Sequence, residues 1–182
     1  MAIRRLGEVH KMKINAWKYR WTLPQEITGY WYSRIWRKQL SAIRPSEIDE
    51  IKAIEKEFGI KLYICPYDKH KAHPILKNLS ASSIGRWVCL NDWHDIWVIR
   101  HEAGHKVDSD KLGWFYLPII GIASSACNLW DRWFHKKWPE IKSLKWYYNR
   151  WQEKRADHNA GFYREFENGE MVCLPLKNVE TT

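Results

Sequence analysis

The chain has no C-x-x-C pair, and its four cysteines, Cys65, Cys89, Cys127 and Cys173, lie far apart. That spacing excludes a zinc ribbon and a dense disulfide framework, and leaves buried, reduced thiols as the expectation. The first 21 residues, MAIRRLGEVHKMKINAWKYRW, are charged throughout and lack the apolar run of a secretory signal, so the expected location is cytoplasmic. Acidic residues are scarce relative to basic ones: 21 Asp and Glu against 30 Lys and Arg give a formal net charge of +9. That balance favours anionic partners, either nucleic acid or lipid headgroups. Repeats and low-complexity tracts are missing, and 182 residues with 45% hydrophobic content suit one compact domain.

Tryptophan, in contrast, is plentiful, with thirteen in the chain. Residues 1–45 interleave Trp17, Tyr19, Trp21, Tyr30, Trp31, Tyr32 and Trp36 with Lys18, Arg20, Arg34, Arg37 and Lys38. Aromatics set among cations can stack on single-stranded bases. The favoured reading is a basic aromatic arm packed on a domain spanning residues 46–182, because no known nucleic-acid module pattern is present.

RPSEIDEIKAIEKEFGI reads as a helix: Ser46 is a candidate N-cap, acids fill the first turn, Ile48, Ile51 and Ile54 make a stripe, and Gly59 ends it. Strands are predicted at 60–67 and 84–90, then a helix capped by Asn91 or Asp92 and running to about Lys111. A second long helix is predicted from Pro139 toward Gly161, and the tail after Gly169 reads as one short strand or an irregular end.

The first of those long helices contains VIRHEAGHKVDSDKLG, residues 98–113. Positions i and i+4 share a helical face, so His101 and His105 present their imidazoles one turn apart, a bite that zinc accepts. Glu102 is turned about 100° round the axis, beside the metal position, where its carboxylate can take a proton from a zinc-bound water. Gly104 is a weak helix former in mid-helix, the usual mark of a close approach by another backbone or a substrate.

A catalytic zinc needs a third protein ligand. Asp108 and Lys111 stand where the metzincin pattern requires Gly and then His or Asp, so that pattern fails. WQEKRADHNAG offers Glu153, 48 residues beyond His105, with Asp157 one turn later on the same face. Glu153 can complete the coordination while Asp157 accepts the outer N–H of a ligating imidazole.

His101, Glu102 and His105 with Glu153 and Asp157 resemble the gluzincin branch of the zincin metallopeptidases, particularly those with E-x-x-A-D as second motif, including the small minigluzincins. HEAGHKVDSDKLGWFYLPIIGIAS is also similar to uncharacterised bacterial and phage proteins. The likeness covers roughly residues 84–165. It implies a zinc-dependent endopeptidase acting on a protein or peptide, and a strand just before the motif helix, Ile84 to Leu90, at a sheet edge where an extended peptide adds. It also implies a tyrosine or histidine at the oxyanion, for which Tyr147, Tyr148, His135 and His158 are equal candidates.

Residues 112–130 carry no charge, long enough for a transmembrane helix. A single crossing would separate His101 and His105 from Glu153. Pro118, Gly113, Gly121 and the polar Ser124, Ser125 and Asn128 suit a bent segment, buried, lid-like or interfacial. Trp114, Phe115, Tyr116 and Trp130 at its ends suit a headgroup belt, so an anionic membrane surface is a further expected partner.

The expectation is therefore a small α+β zincin-like domain: a short sheet with an edge strand over the H-E-x-x-H helix, and a second ligand-bearing helix. Its zinc ligands are His101, His105 and Glu153, Glu102 is the base, and Asp157 orients an imidazole. The alternative is a non-catalytic binding or structural protein, for nucleic acid, a membrane surface or a virion, with a vestigial zinc site.

Overall fold

A computed structural model describes residues 20–35, 47–64, 81–90 and 95–176. Among these the fold is α+β, built on two small sheets. The helices are α1 (Leu23–Ile35), α2 (Ile48–Phe58), α3 (Ile96–Leu112), α4 (Ile122–Phe134), α5 (Glu140–Tyr148) and α6 (Trp151–Asn159). The strands are β1 (Lys61–Ile64), β2 (Ala81–Ile84), β3 (Trp87–Leu90), β4 (Phe162–Glu167) and β5 (Glu170–Pro175).

The larger sheet has the order β1-β3-β2, with β1 parallel and β2 antiparallel to β3. Here the expectation is corrected. The segment from Ile84 to Leu90 is not one edge strand: Ile84 ends β2, a turn at Gly85-Arg86 follows, and β3 is the central strand, buried along its length. The edge next to α3 is β2. Its sequence, ASSI, lacks the β-branched and aromatic weight by which strands are recognised. Gly85 has φ +60°, the conformation a two-residue hairpin turn requires at its first position.

The core joins Ile51 and Ile54 of α2, Ile60 and Leu62, Val88 and Leu90 of β3, and Ile99 and Ala103 of α3. The apolar stripe of α2 thus packs as its spacing predicts, and Gly59 closes that helix with φ +64°. The cap residue is Glu47, without a side-chain cap bond, and Ser46 lies outside the described residues. The α3 cap is Asp95, whose carboxylate accepts from Trp97 N at 3.4 Å, later than the Asn91 or Asp92 expected.

Part of the N-terminal arm is helical. Helix α1 packs on β2 and β3, and Glu26 accepts from Arg86 N (3.2 Å) and Nε (2.5 Å), pinning α1 to the hairpin tip. Trp21 meets Phe115 edge-on, Tyr30 meets Trp87, and the Tyr32 hydroxyl hydrogen-bonds Ser82, so these arm aromatics are engaged within the chain. Trp17, Tyr19 and Trp36 lie outside the described residues.

The helix expected from Pro139 to Gly161 is two helices, broken at Asn149-Arg150, with Pro139 flanking α5 instead of entering its first turn. The tail is a hairpin, β4-β5, turning at Asn168 (φ 51°) and Gly169 (φ 82°). Cys89 is buried, while Cys127 and Cys173 are free but only half-buried, a departure from the expected set of buried thiols. Cys65 lies outside the described residues.

After α3 the chain bends by 115°, through a 3-10 turn (Gly113–Phe115) and a π turn (Leu117–Gly121), into α4. The expected bend is present. No single helix among the described residues is long and apolar enough to cross a membrane.

Candidate metal centre

Helices α3 and α6 cross where Gly104 faces Ala156: a Cβ on Gly104 would lie 1.9 Å from the Ala156 carbonyl oxygen. Only glycine permits this approach, and the approach brings side chains separated by about fifty residues into one buried cluster. His101, His105 and Glu153 are all buried there, with ligand atoms within 4.8 Å of one another.

Both Nε2 atoms face one carboxylate oxygen: His101 Nε2 lies 3.1 Å and His105 Nε2 3.5 Å from Glu153 Oε2. Ligands about 2.0–2.1 Å from a tetrahedral zinc stand about 3.3 Å from one another, close to the two imidazole–carboxylate separations. Two imidazoles and one carboxylate make a donor set compatible with a metal ion.

The outer shell is built on one side. His101 Nδ1 donates to Asp157 Oδ1 at 2.7 Å, which leaves its Nε2 lone pair for the centre when the ring is neutral. Asp157 in turn lies 3.2 Å from Arg164 of β4, whose guanidinium covers the Tyr148 ring at 3.4 Å; Tyr148 meets His101 edge-on. His105 Nδ1 is buried and has no hydrogen-bond partner.

The electrostatics follow from that packing. Burial lowers the affinity of His101 for a proton, but the hydrogen bonds to Asp157 and Glu153 outweigh it and raise its pKa to about 9 without metal. Burial would raise the Glu153 carboxyl, yet hydrogen bonds from His101 and His105 hold it well below the usual range. The two shifts share the His101–Glu153 contact, to which Asp157 adds on one side and His105 on the other.

A cleft of about 660 Å³ opens beside the cluster. Glu102 and His105 line it, with β2 along one wall, Leu117, Ile120, Ile122 and Leu129 along another, and Tyr116 and Tyr147 between. Of the four residues considered for the oxyanion, Tyr147 is at this cleft. Tyr148 is engaged with His101 and Arg164, His135 is stacked on Trp138 at 3.6 Å in a separate cleft, and His158 is exposed. Burial, then the charges of Glu153 and Glu102, push the Tyr147 hydroxyl well above its ordinary pKa. Tyr116 is raised likewise, by burial and by Glu102, and its hydroxyl reaches Ser83 O on β2 at 3.4 Å.

Four contacts tie α4 to the ligand helix α6 and its N-cap residue, Arg150. Ser124 Oγ donates to Glu153 Oε1 (3.3 Å), Arg150 Nη2 reaches Cys127 O and Asp131 Oδ2 (both 3.3 Å), and Gln152 Nε2 approaches Cys127 Sγ (3.7 Å).

Compared with known proteins, the chain matches no family model, no curated protein and no solved structure. The site is therefore read from its own geometry.

The four residues expected around the metal, His101, His105, Glu153 and Asp157, come together, and Glu102 faces the adjoining cleft. Sequence reasoning missed Tyr116, Ser124 and Arg164. Tyr116 and Ser124 sit in an apolar stretch whose spacing singles out neither. Arg164 belongs to β4, which the Asn168-Gly169 pair could have announced, since Asn-Gly between alternating residues is a strong hairpin signal.

Proposed function

We propose that this protein is a zinc-dependent endopeptidase of the zincin type, with His101, His105 and Glu153 as ligands and Glu102 as general base. One observation carries the reading: two imidazoles lie 3.1 and 3.5 Å from one carboxylate oxygen in a buried cluster, and the neighbouring acid on the same helix faces an open cleft.

Held by His101, His105 and Glu153, a zinc ion would supply Lewis acidity and would lower the pKa of a bound water to about 7. Asp157 holds the His101 ring in the tautomer that directs Nε2 inward. The Glu102 carboxylate takes the water proton and delivers it to the departing amine nitrogen, so the same oxygen serves as base and then as acid. Tyr147, kept neutral by burial, has an O–H to donate to the negative charge that develops on the scissile carbonyl oxygen. An extended substrate lies along β2, the edge strand of the cleft, and is held through its main chain.

The test combines metal analysis of purified protein with digestion of a broad peptide library. The wild type is expected to hold one zinc and to cleave peptides. Glu153→Ala should lose zinc and cleavage together, whereas Glu102→Ala should retain zinc and lose activity by a factor of about 10²–10⁴. Equal zinc in the Glu153 variant would remove that residue from the ligand set. Absence of cleavage by a zinc-loaded wild type would favour a structural or binding role.

A further inference from the structure

Helix α4 is amphipathic with its apolar side outward. Ile122, Ala126, Leu129, Trp130 and Trp133 recur at the spacing that makes one stripe on a helix, and all are exposed. Trp133 is the most exposed at 70%, and Trp130 and Phe134 stack at 4.2 Å in solvent. At and before the bend Trp114, Phe115 and Ile119 are exposed as well. Exposed apolar surface on this scale marks an interaction site.

The charge next to it identifies the occupant. No charged residue falls between Leu112 and Trp130, and after α4 come Lys136 and Lys137, with Lys142 and Lys145 on α5, four exposed cations against one exposed acid, Glu140. Asp131, the acid of α4, is already tied to Arg150 and to His135. An apolar ribbon with tryptophans at both ends and a cationic border complements acyl chains and anionic headgroups together. A second copy of this +9 chain would bring like charges to the same face.

We propose that this ribbon, Trp114 to Phe134, docks the protein onto an anionic lipid bilayer, lying in the interface and not crossing it. A 13-residue helix is about 20 Å long, short of the roughly 30 Å hydrocarbon core. The other arm of the bend, α3, is committed to β2, α2 and α6 and has no face to give to lipid. Ile122, Ala126 and Leu129 belong both to the ribbon and to the wall of the cleft, so docking sets the cleft mouth at the membrane surface. That last consequence rests on the peptidase reading; the docking itself does not.

The test is flotation of the full chain with large unilamellar vesicles, either pure phosphatidylcholine or phosphatidylcholine with roughly a third phosphatidylglycerol, at low and high salt. Binding is expected to the anionic vesicles alone and to weaken with salt. Trp130→Ser/Trp133→Ser and Lys136→Glu/Lys137→Glu should each reduce it by on the order of tenfold. Trp133→Ser alone, with a loss of about threefold, serves if the double variant does not fold. Absence of binding to anionic vesicles at low salt, or binding unchanged in the tryptophan variants, would overturn the proposal. So would a wild-type dimer in sedimentation that the same variants make monomeric, which would assign the face to a second copy. Flotation needs neither zinc nor turnover, so its failure and that of the peptidase reading are distinguishable.

Discussion

Helix α3 buries His101, Glu102, His105, Asp108 and Ser109, while α4, around the bend, exposes Ile122, Leu129, Trp130, Trp133 and Phe134. Each arrangement carries a free-energy cost that ordinary amphipathic packing avoids. Buried polar groups cost stability unless bonded, and for α3 most of the bonding comes from within the chain: Glu153 and Asp157 answer the histidines, and Arg155 (2.6 Å) and Asn159 (2.9 Å) answer Asp108. Exposed apolar surface finds no such answer on α4. The difference separates a cluster whose polar groups are mostly answered by the fold from an apolar surface that the described residues leave exposed.

The strongest way to break this contrast is Gly104→Ala. A methyl group there would meet the Ala156 carbonyl, so α3 and α6 must separate. The expected cost is about 3 kcal/mol or more, a fall in Tm on the order of 10 °C, with loss of zinc affinity. Thermal unfolding and metal titration read it, and an unchanged Tm would show that the helices do not depend on close contact.

A smaller effect is expected from Asp157→Ala, which removes the acceptor that orients His101. Zinc affinity should fall about 10- to 100-fold with the fold retained, measured by competition with a chelator. Full affinity in this variant would mean that His101 is oriented by packing alone.

Next comes pH. His101 has a folded pKa of about 9 against 6.5 unperturbed, so its contribution to the stability of the metal-free protein is complete below about 6.5 and is lost as pH rises through 9. Glu153, held low, contributes above 4.5 and loses its contribution in acid. Metal-free Tm should therefore be highest between those limits and fall toward pH 9. A Tm that rises from pH 6.5 to 9 would contradict the charged pair.

The smallest effect is expected on the other helix. Trp133→Ser should change stability by no more than about 0.5 kcal/mol, since the ring is exposed. A loss of several kcal/mol would mean that α4 already has its partner within the chain.

These contrasts were unequally legible in the sequence. His101, His105 and Glu102, and Glu153 with Asp157, could be placed on helical faces because a period of 3.6 turns spacing into direction. The break between α5 and α6 could not, since neither Asn149 nor Arg150 is a helix breaker; it accompanies long-range contacts of Arg150 with Cys127 and Asp131. Strand β2 was hidden by its serines, and with it the true edge of the sheet. That residues 112–130 bend was legible from Pro118 and its flanking glycines, but the outward direction of the apolar stripe depends on which face α6 occupies.

The contacts from Ser124, Cys127 and Asp131 to Glu153, Gln152 and Arg150 give α4 mechanical purchase on the ligand helix. A force applied to the outer face of α4 reaches Glu153 through one hydroxyl. Whatever seats against those tryptophans would therefore act as a lever whose short arm ends at the Glu153 carboxylate.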